Sequence, residues 1–254
     1  VAGVQTCSLP ILGISVDTAV DFAKDSADLI MLRHELSMLS EGVNEGRRTF
    51  ANIRKYIMMG TSSNFGNMFS MAGAALFLPF LPMLPTQVLL NNILYDLSET
   101  VLPLDDVDED EGAMPQHWDI KLLRNFMLVM GPVSSLFDIA TFYLLLAVLK
   151  ADEALFQTGW FIESLATQVL VIFIIRTRGN PFRSRPNPAL WIAASIVLAI
   201  AVIIPFSPLA VFLGFVALPW PYFLALSFLV LMYLVLAQVV KARFYRSGLA
   251  LKRG

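Results

Sequence analysis

A single cysteine, Cys7, stands in 254 residues, so no internal disulfide forms and a disulfide-stapled scaffold is excluded. Histidine is almost as scarce. His34 and His117 lie far apart, give no metal-ligand spacing, and are expected at the surface. Charge is thin: Asp, Glu, Lys and Arg make up 15% of the chain, against about 25% in an ordinary soluble domain. The segment Val1–Ile14 is mildly apolar but has no basic stretch at its start, so no cleavable signal peptide is expected. No nucleic-acid partner is expected. The net charge of -2 decides little, because what matters in such a chain is where the charges sit.

What is abundant is apolar surface. Hydrophobic residues make up 57% of the chain. They come in blocks of roughly 17–25 residues, each long enough to cross about 30 Å of hydrocarbon as helix. Before the first block, residues 13–32 read as apolar run, small amphipathic helix, apolar run. That predicts strand–helix–strand, the edge of a soluble α/β domain. From Leu36 to about Leu78 nothing but scattered glycine interrupts a helix. Its first half is polar (Glu41, Glu45, Arg47, Arg48, Arg54, Lys55) and its second, Tyr56–Leu78, apolar. It is expected to start in the cytosol and continue through the bilayer, ending at Pro79, Pro82 and Pro85. Further spans are expected at about Thr86–Leu102, Leu122–Leu149, Phe156–Ile175, Ala189–Pro205 and Pro219–Val240. The fold expected is an all-α polytopic membrane protein of six transmembrane helices with a small α/β piece in front, in contact with lipid.

Orientation follows from the basic residues. With six spans, the loops near 79–86, 150–158 and 206–218 share one side and hold only Lys150 of the 18 Lys and Arg. The other 17, including Arg176, Arg178, Arg183 and Arg185 in one loop, lie opposite. The positive-inside rule puts that side, and both termini, in the cytoplasm.

Ionisable and amide groups inside spans are costly and therefore candidates for function. Asn64 and Asn67 are three apart on one face of the first span. Asn92, Asp96 and Glu99 in the second follow i, i+4, i+7. If these helices pack through Gly66, their oxygens converge on a site suited to a hard cation, and few formal charges fit magnesium, which keeps several waters. Asn64, Asn67, Asn92 and Asp96 are the main candidate ligands. Glu99, expected near the cytosolic headgroups, and Asp138, in the third span, are weaker ones. Asparagines and serines also serve simply to join helices by hydrogen bonds. Glu163 is expected at the outer interface, Thr167 and Gln168 as helix joints, and Trp160, Trp191 and Trp220 in interfacial belts. The acidic run Asp105–Glu111 is expected as a solvated loop, with divalent-cation binding as the alternative.

Several motifs resemble the cation-transporting P-type ATPases. Glu41-Gly-Val-Asn-Glu-Gly-Arg-Arg-Thr-Phe-Ala-Asn-Ile-Arg-Lys-Tyr-Ile, followed by Ser62-Ser-Asn-Phe-Gly-Asn, is similar to their stalk and fifth membrane helix. Asn92-Ile-Leu-Tyr-Asp96 is similar to the sixth-helix ion motif. Leu78-Pro-Phe-Leu-Pro-Met-Leu-Pro, Leu94-Tyr-Asp-Leu-Ser, Gly131-Pro-Val-Ser-Ser-Leu-Phe-Asp, Gly159-Trp-Phe and Ile175-Arg-Thr-Arg resemble the magnesium-importing branch in particular. The resemblance covers about residues 13–245. It implies that 13–35 is the tail of a HAD-like phosphorylation domain, 36–55 a cytosolic stalk, 56–246 membrane helices five to ten, and 247–254 a cytosolic tail. It implies ATP-driven Mg2+ uptake across a bacterial inner or plasma membrane, with Asn64, Asn67, Asn92 and Asp96 lining the ion site. Tyr95 stands where calcium pumps carry a hydroxyl ligand.

The family's Asp-Lys-Thr-Gly-Thr phosphorylation motif and Gly-Asp-Gly-x-Asn-Asp hinge are absent, and Val1–Leu12 matches nothing in the family. The chain is expected to be a C-terminal fragment that cannot hydrolyse ATP, since nucleotide binding and the catalytic aspartate belong to the missing N-terminal part of the same pump; residues 1–12 are expected to be non-native. The competing readings are a pump for calcium or another cation, a free-standing channel or carrier, and a membrane interaction protein with no transport role.

Overall fold

The computed structural model describes residues 12–33, 35, 37–105 and 117–247. His34 and most of the acidic run, 106–111, lie outside the described residues, as do 1–11 and 248–254.

The expected strand–helix–strand is present. β1 (Ile14–Val16) and β2 (Leu29–Met31) pair in parallel, with Ile14 opposite Leu29, and α1 (Asp21–Asp25) crosses between them. From Ser37 the chain is nearly all helix: α2 (Ser37–Ala74), α3 (Pro85–Glu99), α4 (Ile120–Tyr143, extended by a π-helical turn Leu144–Val148), α5 (Glu153–Ile175), α6 (Pro188–Ile203), the short α7 (Ala210–Leu213) and α8 (Trp220–Arg246). The starts have identifiable causes. Asp119 caps α4 by accepting from the Lys121 and Leu122 amides, Asp152 caps α5 through Leu155, and Asn187 caps α6 through Ala189. Pro85 and Pro188 sit in first turns, where a missing N–H costs nothing.

Among the described residues, four helical stretches are long and apolar enough to cross a membrane: Ile120–Val148, Glu153–Ile175, Pro188–Phe206 and Trp220–Arg246. α3, with 15 residues, is shorter than that measure, and α2 is too polar along most of its 38 residues. α5 is the central helix, with 89% of its apolar stretch buried, against 22% for α8. On α8 the side chains of Leu224, Phe228, Leu231 and Val235, spaced as one helical stripe, are each 63% exposed. A stripe of this kind turned outward is stable against lipid and costly against water.

The closest helix pairing runs between α2 and α4, not between α2 and α3. Its seam is made by Gly66 and Gly131. A Cβ on Gly66 would stand 3.1 Å from both the Gly131 carbonyl oxygen and Ser134 Cβ. Ser135 Oγ reinforces the crossing by donating to Gly66 O at 3.1 Å. The expectation that Gly66 brings α2 onto α3 is therefore corrected. Glycine permits close backbone approach but does not name the partner.

Candidate cation site

With α2 drawn onto α4, a cavity of about 420 Å3 remains where α2, α3 and α5 diverge. Asn64 and Asn67 reach it from α2, Asn91 and Asn92 from α3, and Trp160 and Ser164 from α5, with Met68, Met71 and Met83 as its apolar wall. Asn64 also borders a second groove, of about 460 Å3, which contains Asp96, Glu99 and Tyr56. Asn64 thus joins the two spaces. Asn64, Asn92 and Asp96 are exposed in this chain and Asn67 half-buried.

The amides are held in place by one another. Gln168 Nε2 donates to Asn91 Oδ1 at 3.1 Å and to Ser164 Oγ at 2.7 Å, and Ser164 Oγ donates to Asn67 Oδ1 at 3.2 Å. Asn91 Nδ2 in turn donates to Phe161 O at 3.4 Å. Three helices are thereby linked, while Asn64 and Asn92 stand at the cavity edge. Asn91, a polar group of the second expected span, does not figure among the candidate ligands, and Gln168, expected as a helix joint, does join α5 to α3. The signal available was Gln168 one turn from Ser164 on α5, a polar stripe in an otherwise apolar helix.

The remaining candidates go elsewhere. Asn92, Asp96 and Glu99 do not act as one face. Asn92 lines the cavity, while Asp96 and Glu99 line the groove. Glu99 is buried, and Tyr95 OH donates to its Oε1 at 2.5 Å. Asp138 is not among the residues lining either space. It is fully buried between α2, α4 and α5, accepting from Ser70 Oγ at 2.5 Å and Trp160 Nε1 at 2.8 Å. Glu163 and Trp160 are buried in the core, which corrects their expected interfacial places. Trp160 finds its partner in Asp138, and 89% of the apolar stretch of α5 is buried inside the protein.

Asp105 also departs from the expected solvated loop. It is buried beside Arg176 at the C-terminal end of α5, accepting from Arg176 Nε at 2.6 Å, Arg176 Nη2 at 3.2 Å and the Asn187 amide at 2.9 Å. The Asn52 side-chain amide of α2 donates to the carbonyls of Pro103 and Asp105. His117 is exposed, and among the described residues no group of three His, Cys, Asp or Glu is arranged to hold a metal.

Residues 80–243 match the model of the cation-transporting ATPase C-terminus. The chain belongs to the cation-transporting ATPase family. It is 48% identical over 240 residues to the magnesium-transporting ATPase, P-type 1, of Escherichia coli K12, covering 92% of this chain and 27% of that protein. The protein of the same name from Salmonella typhimurium 14028s matches equally, at 48% over 240 residues, 92% of this chain and 27% of its own length. A calcium-transporting ATPase of Bacillus subtilis is 25% identical over 214 residues, covering 78% of this chain and 23% of its own. The chain therefore spans about a quarter of the length of these ATPases.

Proposed function

We propose that this chain is the ion-translocating membrane part of an ATP-driven magnesium importer in a bacterial inner membrane. Six spans cross the bilayer: the apolar half of α2, α3, and the four longer helices, with both termini cytoplasmic. The β1–α1–β2 unit is the tail of the phosphorylation domain, joined to the membrane through the stalk half of α2. ATP is bound and hydrolysed by the remainder of the full-length pump, since Asp-Lys-Thr-Gly-Thr does not occur in these residues.

The observation that carries the reading is the cavity between α2 and α3. Six waters at liquid density occupy roughly 180 Å3, so about 420 Å3 holds a divalent cation that keeps most of its first shell. Neutral amide oxygens from Asn64, Asn67 and Asn92 suit such an ion, reached directly or through its waters. Asp96, in the adjoining groove, supplies a full charge. A calcium site would call for more carboxylates and fewer waters.

The test is Mg2+-dependent ATP turnover by the full-length pump carrying Asp96→Asn, which keeps shape and removes charge. Turnover should fall at least tenfold, with membrane insertion unchanged. Turnover at the unmodified rate would reduce Asp96 to a helix-packing residue and remove the site with it.

A further inference from the structure

The last helix, α8, grips the end of the central one. Lys241 on α8 is fully buried. Its Nζ donates to the carbonyl oxygens of Ile174 at 2.8 Å, Thr177 at 2.9 Å and Gly179 at 3.0 Å. An ammonium carries three N–H donors, and three carbonyls meet it here. The last carbonyls of a helix lack partners within it and bear the negative end of its dipole, so a cation at the end of α5 answers both needs. One turn further along α8, the Tyr245 ring lies under the Arg178 guanidinium, 5.6 Å from its centre, which gives α8 a second contact with the same turn.

The carbonyl cage straddles Arg176. Ile174 precedes it, and Thr177 and Gly179 follow, so Lys241 holds the backbone on both sides of the residue that pairs with Asp105. Asp105 is in turn tied to α3 through backbone hydrogen bonds. Its N–H donates to Leu102 O at 3.0 Å, Leu104 N–H to Val101 O at 3.1 Å, and Thr100 N–H to Asp96 O at 3.1 Å. A chain of contacts thus runs from the last helix, through Arg176 and Asp105, to the turn of α3 that carries Asp96 and Glu99.

We propose that Lys241 is a positioning residue: its ammonium is a built-in cation that fills a carbonyl cage, holds Arg176 on Asp105, and so sets the C-terminal end of α3 and the groove beside it. The cage takes a compact cation with N–H donors, and the chain supplies one of its own. The consequence for ion binding at Asp96 rests on the cation reading above; the fixing of Asp105 does not.

Amide exchange is followed in the chain in lipid nanodiscs at Asn187, whose N–H donates to Asp105 Oδ1 at 2.9 Å, one step removed from Lys241. Lys241→Ala should quicken that exchange about tenfold or more, as expected for loss of a charged hydrogen-bonding group. Ammonium chloride should restore most of the protection. Tetramethylammonium chloride at the same ionic strength, which has no N–H, should not. Unchanged exchange in Lys241→Ala overturns the proposal, and so does equal recovery in both salts, which would reduce the effect to screening. Where the alanine variant does not insert, Lys241→Gln keeps N–H donors without the charge; it should lose protection too, and full protection in it overturns the role of the cation. In the full-length pump, Lys241→Ala should raise the Mg2+ concentration for half-maximal ATP turnover severalfold and lower the maximal rate less, with ammonium reversing the shift. A lowered maximal rate at unchanged half-maximal Mg2+ overturns the link to the ion site when Asp96→Asn does move that concentration. If neither variant moves it, the cation reading itself fails and takes that link with it, while the exchange result still decides the fixing of Asp105.

Discussion

Replacing Asp105 with alanine removes one half of a buried ion pair and leaves the other in place. Both side chains are 1% exposed. The carboxylate accepts from Arg176 twice and from the Asn187 amide once. The guanidinium keeps the carbonyls of Ser184 and Arg185, at 3.1 and 2.9 Å, but no counter-charge there. Removing one partner of such a pair costs about 3–5 kcal/mol, mostly as the penalty on the charge left behind. That is roughly two to three and a half decades in the unfolding equilibrium, at about 1.4 kcal/mol per decade. The assay is reversible unfolding of the chain in mixed micelles. The cost should be insensitive to added salt, since buried pairs are poorly screened. The double variant Asp105→Leu with Arg176→Met should recover most of the loss, because no charge is then stranded. A single variant within about 0.5 kcal/mol of the unaltered chain, the scale of an ordinary surface substitution, would refute the argument.

Gly66→Ala must part α2 from α4 against a backbone carbonyl at 3.1 Å, and should cost about 1–3 kcal/mol in the same assay, whereas Gly73→Ala, which meets nothing within 4 Å, should not. Lys241→Met strips the donor from the carbonyls of Ile174, Thr177 and Gly179 and should destabilise by about 1.5–3 kcal/mol, read as earlier unfolding of α5's C-terminal end in hydrogen exchange. Reporter fusions at Asp152 and Ser207 should read external and at Arg183 cytosolic; a cytosolic signal at Asp152 overturns the six-span topology. In the full-length pump Asn64→Ala should weaken apparent Mg2+ affinity by less than Asp96→Asn does, because a water can stand in for a neutral amide.

Helix positions were legible because an apolar run bounded by Asp, Asn or Pro carries both its length and its ends. Asp119, Asp152 and Asn187 are readable caps, and α4, α5, α6 and α8 fall within a few residues of the expected spans, the last extending to Arg246. Which helix touches which was not legible. Gly66 and Gly131 mark a seam only once both are seen to face each other. The polar residues show the same limit. That Asn64 and Asn67 share one helix face could be read from spacing; that Asn92 of α3 lines the same space could not. That Glu163 is buried could not, because burial depends on α5 having neighbours on every side, a property of the assembly and not of its own sequence.

The two exteriors of the chain impose opposite demands. α6 and α8 turn isoleucine, leucine and phenylalanine outward, which hydrocarbon satisfies. The α2–α3 side turns Asn64, Asn92 and Asp96 outward. A charged side chain at the bilayer centre costs about 2.5–3.5 kcal/mol even on insertion scales, and the two amides add to it. That face is therefore stable only against water or further protein. In our reading of function the cover is protein, drawn from the part of the pump that this quarter-length chain does not contain, and the cation itself compensates Asp96. Gln168, Ser164 and Asn91 fix Asn67 within the chain, while Asn64, Asn92 and Asp96 wait at its edge for what closes over them. Substituting Gln168 should then loosen the chain on its own, whereas substituting Asp96 should leave its stability unchanged and alter only what the assembled pump binds.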